Sequence, residues 1–239
     1  MSDKDEPFTN IEDATSNQGR DQHSAKLDAL AEHLTESLIP RAPILSHGKR
    51  ACLWLLISCL VFAILVIWDF PLRSDLKSAL TGRVFVFELA LAAIVGLSSI
   101  WAATRLMVPV AKEDVFKITR LAVVSGAVFI AWSAFQSFQG FLDGHLVHDM
   151  GYRPCFWWGI VVAIMPSIAV VYLARRGAST NPHWLHAMSF MAIFAFGWIA
   201  LRLICAWDAP GHAFIFHFTP FVVFGALSGL ISAKLFKTI

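Results

Sequence analysis

The chain has 239 residues, 57% of them hydrophobic and 15% charged, with a formal net charge of +2. So much apolar surface cannot be hidden in a soluble core of this size, which excludes a water-soluble globular domain. The charge is also unevenly spread. Residues 1–40 hold nine acids against three bases, a net charge near −6, and the remainder carries about +8.

In chain order, residues 1–23 are polar and poor in large apolar side chains, a composition that predicts disorder. A change follows at Ser24. Leu27, Leu30, Leu34 and Leu38 recur on one face of an amphipathic helix predicted over residues 24–39, beside an acidic stripe of Asp28, Glu32 and Glu36, and Pro40 ends the run. Such a short helix is marginal alone in water and orders when its leucines find a groove. Its acidity argues against an anionic membrane surface and against nucleic acid as a ligand. The expected partner is a protein with a hydrophobic groove rimmed by basic residues. No apolar h-region occurs in residues 1–49, so a cleaved signal peptide is not expected.

Beyond Lys49-Arg50, six continuous apolar runs are each long enough to cross a hydrocarbon layer of roughly 30 Å as a helix. They are Ala51–Asp69, Val84–Leu106, Leu121–Phe138, Cys155–Ala174, Trp184–Ala206 and Phe214–Phe236. None alternates with period two, so barrel strands are excluded. The predicted fold is all-α: a polytopic membrane domain over residues 50–239 with six transmembrane helices, preceded by an N-terminal head over residues 1–49. Eleven Lys and Arg residues fall on the side of the N-terminus and four on the other, which places both ends in the cytoplasm. Gly225 and Gly229 form a G-x-x-x-G motif in the sixth run, and Ala92 and Gly96 offer a small face on the second. Both are expected to serve packing within the bundle. Pro166 and Pro220 are expected to kink their helices.

Ionisable groups inside spans are costly and point to function. On this topology they gather at the outer end. Glu88 lies a turn into the second run, Cys155 opens the fourth, Cys205 ends the fifth with Asp208 just beyond, and His212 and His217 enter the sixth. The third loop adds Asp143, His145, His148 and Asp149. Cys155 and Cys205 could form a disulfide in an oxidising compartment. Together with the imidazoles they would also suit copper or zinc, bound transiently, with no resident cofactor required. Arg202 is placed to pair with Glu88 or Asp208. Cys52 and Cys59 read as apolar filler. The sequence carries no H-E-x-x-H, C-x-x-C, P-loop or G-x-S-x-G pattern, so it does not read as an enzyme.

The chain resembles the NrsF-like family of membrane-bound anti-sigma factors of proteobacteria from about Leu27 onward. The resemblance rests on the leucine-rich helix ending near Pro40, and on Pro71-Leu-Arg-Ser-Asp75-Leu followed by Phe87-Glu88-Leu89. Further along it rests on Cys155 with Met165-Pro166-Ser167 below it, on Cys205 fifty residues later, and on Asp208, His212 and His217. The first loop reads Arg-Ser-Asp where the family more often has Arg-Pro-Asp, and fewer arginines follow Pro40. The resemblance implies an anti-sigma factor of the inner membrane. Its head would hold an extracytoplasmic-function sigma factor, and an oxidative or heavy-metal signal at the outer cysteine pair would release it. Two other readings are a membrane thiol/quinone redox protein, which would need a second, mobile cysteine pair, and a metal transporter. A transporter would need polar residues through the inner halves of the spans, and those halves are nearly bare.

Overall fold

The computed structural model describes residues 25–32, 45–68, 71–143 and 155–235. The chain divides into two units, Met1–Pro43 and Ile44–Ile239. In the first unit residues 25–32 form helix α1, which carries Leu27, Asp28, Leu30 and Glu32, with both leucines exposed. Leu34, Glu36 and Leu38 lie outside the described residues, as do residues 1–23.

The second unit is helical among the described residues. Its elements are α2 (His47–Trp68), α3 (Leu76–Ala79), α4 (Arg83–Leu106), α5 (Lys112–Leu142), α6 (Cys155–Arg175), α7 (Pro182–Ile204), α8 (Pro210–His212), a π-helical segment (Ala213–Phe218) and α9 (Thr219–Leu235). Among the described residues, six helices are long and apolar enough to cross a membrane: α2, α4, α5, α6, α7 and the run Ala213–Leu230.

Most helix ends fall within four residues of those expected, and two departures matter for the ends of the bundle. α5 begins at Lys112 rather than Leu121 and runs for 31 residues. At about 1.5 Å per residue that exceeds the hydrocarbon thickness, and its charged first turns, with Lys112, Glu113, Asp114, Lys117 and Arg120, are the part least suited to an apolar layer. Glu113 and Asp114 in that first turn suit the positive end of the helix dipole. α7 stops at Ile204, because Cys205 turns extended at φ −90°, ψ 118°. That break frees Cys205 from the helix and directs the chain toward Asp208.

α7 is the most buried of the spans and α2 the least. Leu185, Met188, Ala192 and Leu201 of α7 are fully enclosed, and α4, α6 and the sixth span surround them. In lipid, close packing depends on small residues and shape rather than on hydrophobic drive. Gly96 of α4 faces the Phe196 ring, where an added Cβ would come within 2.8 Å of it. Gly225 of α9 faces Phe190, where a Cβ would meet the ring at 2.3 Å. Gly225 and Gly229 therefore pack inside the bundle against α7, with His186 Nε2 3.4 Å from the Gly225 carbonyl. Phe129, Phe194, Trp198 and Phe221 interlock edge-to-face across three elements. α2 is pinned by Trp54, whose indole Nε1 donates to the Pro166 carbonyl of α6 at 2.9 Å.

The sixth span does not keep a regular helical pitch. Thr219 N–H donates to the Phe214 carbonyl five residues back, and its hydroxyl reaches the same oxygen at 3.1 Å. Pro220 follows, and a proline has no N–H to continue an i→i−4 ladder. The wide turn accordingly sits on its N-terminal side. At the bundle's opposite end, the connection before α5 and the one before α7 are laced together. Ala178 N–H donates to Met107 O at 3.0 Å, and the Thr180 hydroxyl to Val110 O at 3.1 Å. Gly177 is required there, since a Cβ would fall 1.9 Å from Met107 O.

Candidate functional site

The polar residues at the end of the bundle formed by the α4 N-terminus and the α7 C-terminus sort into two adjoining groups. The first consists of Cys155, Cys205, His212 and His217, all buried. Cys155 is the first residue of α6, Cys205 the extended residue closing α7, His212 the last residue of α8, and His217 lies in the π segment. One ligand atom from each lies within 4.8 Å of every other. The Cys155 thiol donates to Cys205 Sγ at 3.4 Å, and Cys205 Sγ is 3.4 Å from His212 Nε2. Aromatic rings close the site. Trp198 stands edge-on to His217 at 5.9 Å, and Phe216 and Trp207 flank His212.

This pocket has two chemical properties. The hydrogen bond from Cys155, with the His212 and His217 imidazoles, outweighs burial and holds the Cys205 thiol well below the ordinary thiol range. That shift favours the thiolate at Cys205, the form in which a cysteine attacks oxidants and binds metals. Meanwhile the Nδ1 of His212 and both ring nitrogens of His217 make no hydrogen bond although the rings are 2% and 0% exposed. A desolvated imidazole without a partner is costly. Two sulfurs and two ring nitrogens from separate elements also match a closed, four-coordinate Cys₂His₂ donor set.

The second group is a chain of alternating charges. Arg73, buried in the loop before α3, forks onto Asp75 (Nε–Oδ1 and Nη2–Oδ2, both 2.7 Å) and onto Asp208 (Nη1–Oδ1 3.0 Å, Nη2–Oδ2 2.7 Å). Arg202, near the end of α7, reaches Asp208 Oδ1 at 2.7 Å and Glu88 Oε2 of α4 at 3.1 Å. The two guanidinium groups lie over the Phe85 ring, at 5.2 and 5.0 Å from its centroid. Such forked, charge-assisted contacts fix orientation as well as charge. Burial pushes Asp208 up, but the Arg73 hydrogen bond and the Arg202 charge prevail and hold its carboxyl below the usual range. The Arg73 guanidinium does the same to Asp75, and the two carboxylates raise Arg73 in turn. A cleft of about 280 Å³ opens beside this chain between Phe85, Glu88, Gln136, Trp198 and Arg202.

The sequence placed Glu88, Asp208, His212 and His217 in one cluster with the cysteines. The structure brings only the two histidines to the sulfurs and gives Glu88 and Asp208 to the arginines. Arg202 pairs with both of its expected acids. His145 and His148 lie outside the described residues. Arg73 and Asp75 were legible as part of the Arg-Ser-Asp run that carries the family resemblance, but their pairing with each other and with Asp208 was not. The available signal was their spacing, since Arg-x-Asp in a short loop lets one carboxylate pre-orient the guanidinium. Cys52 and Cys59 face outward from α2. The groups touch through the backbone, since Cys205 and Asp208 are three residues apart and Arg73 N–H donates to the Leu203 carbonyl at 3.0 Å.

A family model described as "NrsF: Negative regulator of sigma F" matches residues 37–237. No curated protein and no solved structure matches the chain.

Proposed function

The chain belongs to the NrsF family of negative regulators of a sigma factor, and from that premise we propose that it is an inner-membrane anti-sigma factor switched by chemistry at Cys155 and Cys205. The observation that carries this reading is the buried thiol pair, its sulfurs 3.4 Å apart, with Cys205 pushed below the ordinary thiol range by its hydrogen-bond partners. A hydroperoxide supplies the matching signal. The Cys205 thiolate attacks the terminal peroxide oxygen, breaking the O–O bond to give a sulfenic acid and release the alkoxide, which is hydroxide when the oxidant is hydrogen peroxide. The Cys155 thiol then displaces that hydroxyl as water and forms the disulfide, two electrons having passed to the peroxide. Closing an S–S bond of about 2.05 Å draws the start of α6 toward the end of α7.

Cys205 is tied to Asp208, and Asp208 to the loop before α3 and to α4 through the two arginines. A pull at Cys205 thus strains a network that spans three elements, and α7 carries the displacement through the centre of the bundle. The regulatory end is the N-terminal head, in which Leu27, Leu30, Leu34 and Leu38 with Asp28, Glu32 and Glu36 form the surface for a sigma factor of the extracytoplasmic-function type. Both termini then lie in the cytoplasm. A second signal, a soft or borderline metal ion such as copper, zinc or cadmium, is favoured by the unpartnered nitrogens of His217 among the same sulfurs.

Co-purification from membranes tests the regulatory half. The full chain should retain one small cytosolic sigma factor, and deletion of residues 1–40 should leave a membrane protein that retains none. Retention by the truncated chain would remove the head from the mechanism.

A further inference from the structure

At the end of the bundle away from the cysteines, the start of α2, the end of α4 and the first turns of α5 line an open-mouthed cavity of about 500 Å³. Its lining includes His47, Arg50, Arg105, Asp114 and Lys117. Arg50 is only 4% exposed, yet its Nε and Nη1 have no hydrogen-bond partner. A buried guanidinium is costly unless an anion accepts from it. The one carboxylate on the lining, Asp114, is engaged by Lys117 at 3.0 Å. Arg105 lies over the Trp101 ring at 5.8 Å, and His47 meets that ring edge-on at 4.7 Å. Three elements thus direct basic groups at one cavity with an unsatisfied arginine in its wall.

The geometry points to a binding site for the phosphate group of an anionic phospholipid. Depth supports a lipid as the carrier of that phosphate. Arg50 immediately precedes the apolar run of α2, Arg105 closes that of α4, and Trp101 sits where interfacial aromatic rings sit. These positions bracket the level of the headgroups. A guanidinium matches two phosphate oxygens with parallel N–H donors, whereas a zwitterionic headgroup would bring its own ammonium into a cavity already rich in cations. The site is independent of the cysteine chemistry and does not rest on the sigma-factor reading.

The test measures thermal stability of the detergent-purified full chain on titration with phosphatidylglycerol, with phosphatidylcholine or with inorganic phosphate. Phosphatidylglycerol should stabilise the protein saturably, and the other two should not. Arg50→Gln should reduce the apparent affinity for phosphatidylglycerol about fivefold, the effect of one basic residue at a membrane surface. Arg105→Gln should act in the same direction, and Arg83→Gln, at the other end of the bundle, should leave it unchanged. Should Arg50→Gln not fold, Arg105→Gln combined with Lys117→Gln reads the same site. Equal stabilisation by phosphatidylcholine, full stabilisation by inorganic phosphate alone, or an undiminished response in the variants would each overturn the proposal.

Discussion

Arg202 stands between two carboxylates, and replacing it separates the contributions of the two. The Arg202 side chain is 6% exposed, Glu88 12% and Asp208 53%. Removing one partner of a buried pair costs about 3–5 kcal/mol because the other charge is stranded, while an exposed pair is worth about 1 kcal/mol or less. Arg202→Leu strands Glu88 but leaves Asp208 with Arg73, so its cost falls at the low end, about 3 kcal/mol. Glu88→Leu leaves Arg202 engaged by Asp208 and should cost about 1 kcal/mol. In the double variant no carboxylate is stranded in the apolar layer, and the loss should return to about 1 kcal/mol, a coupling of about 3 kcal/mol. For a unit of this size 1 kcal/mol moves a midpoint by about 2–4 °C. The apparent Tm in detergent should drop by about 6–12 °C for Arg202→Leu and by about 2–4 °C for the other two variants. Equal losses in the single variants with an additive double would show that Glu88 and Arg202 do not depend on each other.

Three further outcomes are expected. Asp208 has a folded pKa below its unfolded value, so its contribution is present above the ordinary carboxylate range near 4 and is lost as pH falls through the folded value. Acid titration of stability should show this component in the wild type and not in Asp208→Asn, and identical profiles would contradict the clamp. The lowered Cys205 pKa predicts that peroxide-driven disulfide formation proceeds at similar rates at pH 6 and pH 8. An ordinary thiol with a pKa of about 8.5 would slow about 75-fold over that range, and such slowing, read by mass spectrometry, would contradict a preformed thiolate. Gly225→Val should drive a side chain into the Phe190 ring and lower the apparent Tm by several degrees, and an unchanged Tm would dismiss the close α7–α9 seam.

The spans were legible because an apolar run of some twenty residues has few other uses. α5 was read short because Glu113, Asp114, Lys117 and Arg120 interrupt the hydropathy of its first turns, although Val115, Thr119 and Ala122 already form a buried helical stripe. Cys205 looked like the last helical residue because hydropathy carries no information about the φ/ψ change that ends α7. The convergence of His212 and His217 was the least legible feature. Residues five apart on a regular α-helix point about 140° away from each other. The i→i−5 turn ahead of Pro220 closes that angle, so the two imidazoles meet the same sulfurs. The pairing of Arg73 with Asp208 was hidden for a different reason. The arginine's partners lie two and 135 positions away, and the longer separation leaves no local pattern.

The central claim is that thiol chemistry at one end of the bundle governs sigma-factor retention by the head. The most direct measurement is the fraction of sigma factor bound to membranes carrying the full chain, before and after a brief hydroperoxide pulse. Wild-type membranes should release most of the bound sigma factor as the Cys155–Cys205 disulfide forms, and a reductant should restore binding. Cys155→Ser and Cys205→Ser should retain it throughout. Release of the same extent from both serine variants, or complete disulfide formation in the wild type without release, would contradict the account.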